Sequence, residues 1–136
     1  MSSCFYGFQI VAYISLALEN DKSAAFESVQ EYCRNTLVET DIFAEEILPE
    51  EKDRPLWQKV LELVEQGEVS MIVVPSLEHI AGNDSKSLSS FLTFLKINNV
   101  RLKSLADGVD SQHNSHLKIL SRLNKENNHK PTQPLG

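Results

Sequence analysis

Residues 69–82 read Val69-Ser70-Met71-Ile72-Val73-Val74-Pro75-Ser76-Leu77-Glu78-His79-Ile80-Ala81-Gly82. An unbroken apolar run closed by Pro75 predicts a short strand over Val69–Val74, buried on both faces. Strands of that kind belong to parallel sheets covered by helices, so the flanking chain should alternate strand and helix.

It does so in both directions. Upstream, Phe8–Leu18 is rich in β-branched and aromatic residues and almost free of charge, which predicts a central strand. Asn20, Asp21 and Ser23 offer helix caps, and Ala25, Phe26, Val29, Tyr32 and Cys33 then recur at helical spacing, ending near Asn35 and Thr36. Leu37–Phe43 predicts a second strand. Ala44–Asp53 carries dense acid and Pro49, which predicts an exposed loop. Pro55 suits the first turn of a helix whose apolar stripe is Leu56, Val60, Leu61, Leu63 and Val64, with Gly67 as its stop. Downstream, Ser85–Asn98 predicts a helix on Leu88, Phe91, Leu92 and Leu95, and Val100–Leu105 a fourth strand. Leu117, Ile119, Leu120 and Leu123 predict a short amphipathic helix.

The expected fold is therefore α/β: a mostly parallel sheet of about four strands with helices on both faces. Residues 1–126 form the expected domain, and 127–136 a disordered C-terminal tail. In such sheets the functional crevice lies at the carboxyl ends of the strands. That directs attention to Ser15–Leu18, Pro75–Gly82 and Ala106–Asp110.

The 136 residues suffice for one ordinary core. A net charge of −6 speaks against a dedicated nucleic-acid binder, which needs a basic face to displace counterions, so direct DNA binding is expected to be weak or absent. Cys4 and Cys33 form no metal-ligand pattern; reduced thiols in a cytoplasmic protein are expected, with a surface disulfide left open. No metal or cofactor is expected. The apolar start is too short and too β-like for a signal peptide or a membrane span.

In order, several segments resemble the catalytic domain of serine recombinases, the resolvase and invertase family, over about residues 8–112. Ile10-Val11-Ala12-Tyr13-Ile14-Ser15-Leu16-Ala17 resembles the opening strand, where Tyr-x-Arg-x-Ser carries the nucleophile. Arg54-Pro55, then Leu61–Val64 and Gly67-Glu68-Val69, resemble the Arg-Pro helix and its following turn. Val73–Asn83 is similar to the strand and Leu-Asp-Arg-Leu-x-Arg segment, and Asn99–Leu102 with Asp107–Asp110 to the last strand and its turn.

The resemblance implies a serine attacking a DNA phosphodiester inside a cage of arginines. Aligned on Tyr13, the nucleophile position is Ala17 and the arginine two residues before it is Ser15. The paired arginines fall on His79 and Gly82, the acid before the first is kept in kind as Glu78, and Arg54 alone survives from the arginine set. Removing one preorganised donor typically costs about 10²–10³ in rate, so no catalytic residues are expected. The leading expectation is a catalytically inactive domain acting as a protein-interaction or regulatory module, a homo-oligomer (dimer) or bound to a protein partner, and tied to DNA recombination through that partner. No DNA-reading domain is expected within this length.

The alternative is an active recombinase with an unorthodox site at Ser15 and Arg54, because strand parity would turn positions 15 and 17 the same way. Against it, Ser15 reads better as a locally bonded strand-end serine, and Arg54 reads equally as a surface residue paired with Asp53 or the acidic loop. Glu78 and His79, as sequence neighbours, read best as a surface turn. Trp57 reads either as an interface aromatic or as the edge of the core. A nucleotide-binding module ranks last, because Leu16-Ala17-Leu18-Glu19 offers no glycine-rich phosphate loop.

Overall fold

The first strand, β1 (Ile10–Ser15), is buried along its whole length and faces two separate apolar clusters. Period-two alternation sends Val11 and Tyr13 to one side and Ile10, Ala12 and Ile14 to the other. The computed structural model, which describes residues 9–35 and 40–129, continues as α1 (Lys22–Arg34), β2 (Thr40–Glu45), α2 (Pro55–Glu65), β3 (Met71–Val74), α3 (Glu78–Ala81), α4 (Ser85–Ile97), β4 (Arg101–Ser104), β5 (Val109–Asp110) and α5 (His116–His129).

The strand order is β2-β1-β3-β4-β5, parallel except for the antiparallel β4–β5 pair. Right-handed crossovers fix the layers. The step from β1 to β2 runs one way across the sheet and the later steps run the other way, so their helices cover opposite faces. α1 packs Ala25, Val29 and Cys33 on the side of Ile10, Ala12 and Val73. α2, α4 and α5 cover the side of Val11, Tyr13, Ile72 and Leu102. The α/β class, the mostly parallel sheet and helices on both faces are as the sequence predicts.

Helix starts follow local chemistry. Asp21 caps α1 by accepting the Ala24 N–H at 3.0 Å, and Asp84 caps α4 through the Lys86 and Ser87 N–H groups. Gly67, at φ 75°, stops α2 in a backbone conformation that side chains disfavour.

Several expectations need correction. The first strand ends at Ser15, and Leu16–Leu18 forms one 3-10 turn rather than extended chain. The second strand runs on to Glu45, while residues 36–39 lie outside those described. Pro49 and Glu45 are buried although the acidic loop was expected to be exposed. Val109–Asp110 adds a fifth strand where a turn was expected. The last helix runs past the expected tail boundary to His129, and residues 130–136 lie outside those described. Ile119 and Leu123 face the core, but Leu117 is 77% exposed because only one stripe of α5 meets the sheet.

The β4–β5 pair is fastened by a forked ion pair. Arg101 donates from Nε to Asp110 Oδ1 at 2.9 Å and from Nη2 to Oδ2 at 2.5 Å. This bond to Arg101 holds the Asp110 carboxyl down at about 2, against an ordinary 3.8. A carboxyl depressed in the fold stabilises it above the unfolded value, and that stabilisation is lost as pH falls toward the folded value. Urea melts should therefore show a stability loss between about pH 4 and 2, and Asp110→Asn should flatten that part of the curve. Ile72→Ala, at a fully buried site in the central strand, should cost about 2–5 kcal/mol. Leu117→Ala on the exposed face of α5 should stay within about 0.5 kcal/mol. Urea midpoints at unchanged m-value check both.

Candidate functional site

Three strand ends converge where the sheet reverses direction, and they are the segments singled out from the sequence. The Ser15 N–H donates to His79 Nδ1 at 2.8 Å, and Asp107 accepts the Leu77 N–H at 2.7 Å and the Ser104 hydroxyl at 2.6 Å. The carboxyl ends of β1, β3 and β4, where open α/β sheets place a crevice, are thus joined by the protein's own hydrogen bonds.

His79 is buried, not part of a surface turn: it is 1% exposed inside the one-turn helix α3. Its Nδ1 accepts from Ser15, which leaves the proton on Nε2, and Nε2 lies 2.6 Å from Glu19 Oε2. Burial holds the imidazole below its ordinary value, against the opposing pull of the Glu19 and Asp107 carboxylates. His79 is therefore neutral and has both ring nitrogens engaged. Glu78, the preceding residue, is half-buried.

Ser15 is fully buried, and its hydroxyl donates to the Ile47 carbonyl at 2.6 Å. Ala17, two residues on, is exposed in the 3-10 turn. The strand parity that would point both into one pocket fails because the chain leaves the extended conformation at Leu16. Gly82 ends α3 at φ 61°, ψ −131°, where a Cβ would come within 2.5 Å of the Glu50 carboxylate. A larger side chain there would be strained by that backbone conformation and would displace the flexible Glu50 carboxylate.

Arg54 precedes Pro55 at the start of α2 and is half-buried. It donates from Nη2 to the Ile80 carbonyl at 3.0 Å, and its guanidinium lies 5.0 Å from the Trp57 ring centre and 6.0 Å from that of Tyr13. Nη1 is buried without a hydrogen-bond partner. Trp57 is 7% exposed and packs edge-on to Tyr13 at 4.8 Å and against Phe91 at 5.0 Å. It is a core aromatic, not an interface one.

Glu45 escaped the sequence reading. Its carboxylate accepts from the Leu56 N–H at 3.0 Å, the Trp57 N–H at 3.1 Å and the Tyr13 hydroxyl at 2.7 Å. A signal for it existed. Arg54 stands at the cap position of α2 and has no acceptor to offer, so the first N–H groups of that helix needed one from elsewhere. Burial raises the Tyr13 phenol, and the neighbouring Glu45 charge raises it further.

Among the described residues no group of three or more His, Cys, Asp or Glu side chains is placed to hold a metal ion. No helix among them is long and apolar enough to cross a membrane.

The family model described as "Resolvase, N terminal domain" matches residues 15–129. The chain belongs to that family and is a serine-recombinase-like domain of the kind associated with DNA recombination. Solved structures agree on the fold. The N-terminal catalytic domain of TP901-1 integrase superposes with a TM-score of 0.69 at 14% identity, covering 88% of this chain and 93% of that one. A resolvase family site-specific recombinase from Streptococcus pneumoniae superposes at 0.60 and 19% identity, covering 88% and 87%. A search of curated proteins finds no match.

Glu45→Gln keeps the shape but weakens acceptance from three donors. It should cost about 1–3 kcal/mol in urea unfolding. The Tyr13 phenol should also titrate at lower pH in ultraviolet difference spectra, while burial keeps it above the ordinary value of 10.0.

Proposed function

We propose that this domain has given up strand cleavage and serves as a protein-interaction or accessory module linked to DNA recombination. It would act in the cytoplasm as a dimer or on a protein partner. In this reading Ala17 occupies the nucleophile position, while Ser15, His79 and Gly82 stand where the family places arginines. Glu78 keeps the acid, and Arg54 is the surviving cation.

The observation that carries the reading is the state of the Ser15 hydroxyl. It is buried and given to a backbone carbonyl. An attacking serine needs a free oxygen, a base within reach and cations around the phosphate. The nearest imidazole has spent its Nδ1 lone pair on the Ser15 amide, and its Nε2 on Glu19. Arg54 is held by Ile80 and two aromatic rings. The carboxylates Glu19 and Asp107 near the crevice would repel a phosphodiester rather than cage it. The alternative, an unorthodox site built on Ser15 and Arg54, would have to free the Ser15 hydroxyl from the Ile47 carbonyl and work with one cation, whose Nη1 is the donor without a partner.

Incubation with supercoiled DNA, quenched in denaturant, checks the proposal. No nicking and no covalent protein–DNA adduct is expected from wild type or from Ser15→Ala. An adduct formed by wild type and abolished in Ser15→Ala would overturn it.

A further inference from the structure

β1 is paired unequally. Its register with β2 runs from Ile10 through Ser15, but its register with β3 stops at Ala12. Beyond Ala12 the two strands no longer pair, at the place where the strand order reverses and open α/β sheets admit ligands. Here the imidazole of His79 lies beyond that break. It takes the Ser15 N–H in place of a strand partner and is closed off behind by Glu19.

This bridge depends on one lone pair. A protonated imidazole carries N–H at both nitrogens, so Nδ1 would present a donor to the Ser15 donor at a 2.8 Å separation. The contact cannot survive protonation. Two charged groups face His79 from the elements packed around it: Glu19, after the 3-10 turn, and Asp107, in the β4–β5 connection. Glu78 precedes it on α3, and Arg54 from the start of α2 reaches the neighbouring Ile80 carbonyl. The carboxylates draw a proton toward the ring once it can be taken up, and Glu19, 27% exposed, gives it a path to solvent.

We propose that His79 is a proton-operated latch on this crevice: neutral, it ties β1 to α3 and fills the break between β1 and β3; protonated, it releases the Ser15 amide and opens the crevice. The latch goes beyond the loss of cleavage and does not depend on it, so the adduct assay and the latch test can fail separately. The sign follows from linkage. The closed state disfavours the proton, whereas the open state binds it with an affinity near the ordinary histidine value of 6.5. Opening is therefore rare above that pH and grows as pH falls below it.

Amide hydrogen exchange by NMR on the whole chain, corrected for the intrinsic rate, reads the latch. Between pH 7.5 and 5 the Ser15 protection factor should be flat at first. Below the ordinary histidine value it should fall by up to about tenfold per pH unit, the limit for one linked proton, while Ile72 stays protected. His79→Asn, which keeps an acceptor but does not titrate, should remove the dependence. A flat wild-type profile overturns the latch, as does an equal slope in His79→Asn or a parallel fall at Ile72. If His79→Asn does not fold, the wild-type imidazole nitrogen spectrum decides. A bare Nδ1 and a protonated Nε2 at pH 7.5, changing to imidazolium together with the loss of Ser15 protection, supports the latch. The opposite tautomer, or titration without that loss, overturns it.

Discussion

Charge buried in a protein must be answered by donors, and the Glu45 carboxylate is answered by three: two backbone N–H groups at the head of α2 and the phenol of Tyr13. The last residue of the edge strand thereby fastens the first turn of a helix on one face of the sheet and a side chain of the central strand. A helix start carries partial positive charge, which favours an anion there. With α2 fixed in this way, Arg54 faces inward against Trp57 and Tyr13, and the acidic loop from Glu46 to Asp53 is spanned at both ends.

The architecture was legible where a local signal and its burial agree. Met71–Val74 is apolar without interruption because both its faces are covered, and Pro55 and Gly67 bracket α2 for reasons of backbone conformation alone. The site was legible in part. The three segments at the strand ends do meet, since topology alone sends them to one edge. What they do there was not legible. His79 looks like a turn residue beside Glu78 until Ser15 and Glu19, both distant in sequence, supply partners for its two nitrogens. Glu45 reads as one acid among many until its donors are known. Partnerships across such separations leave no periodic trace.

The strand-end crevice can be compared with what phosphoryl chemistry demands. A site for a pentavalent phosphorus holds unspent donors and cations in reserve. Here Ser15 and Ser104 have given their donors to His79 Nδ1, the Ile47 carbonyl and the Asp107 carboxylate, which also accepts the Leu77 N–H. Such a network rigidifies the junction of β1, α3 and β4.

The central position of β1 also bears on how the chain comes together. Its two partners, Thr40–Glu45 and Met71–Val74, lie well downstream, and no hairpin can satisfy it early. During synthesis Ile10–Ser15 leaves the ribosome long before β3 exists, with apolar side chains on both faces and its backbone groups unpaired. Non-local parallel pairing is slow to form and exposes sticky intermediates meanwhile. The strand that organises the finished sheet is thus the segment most in need of shielding, by a chaperone or by early packing of α1, until residue 74 has been made.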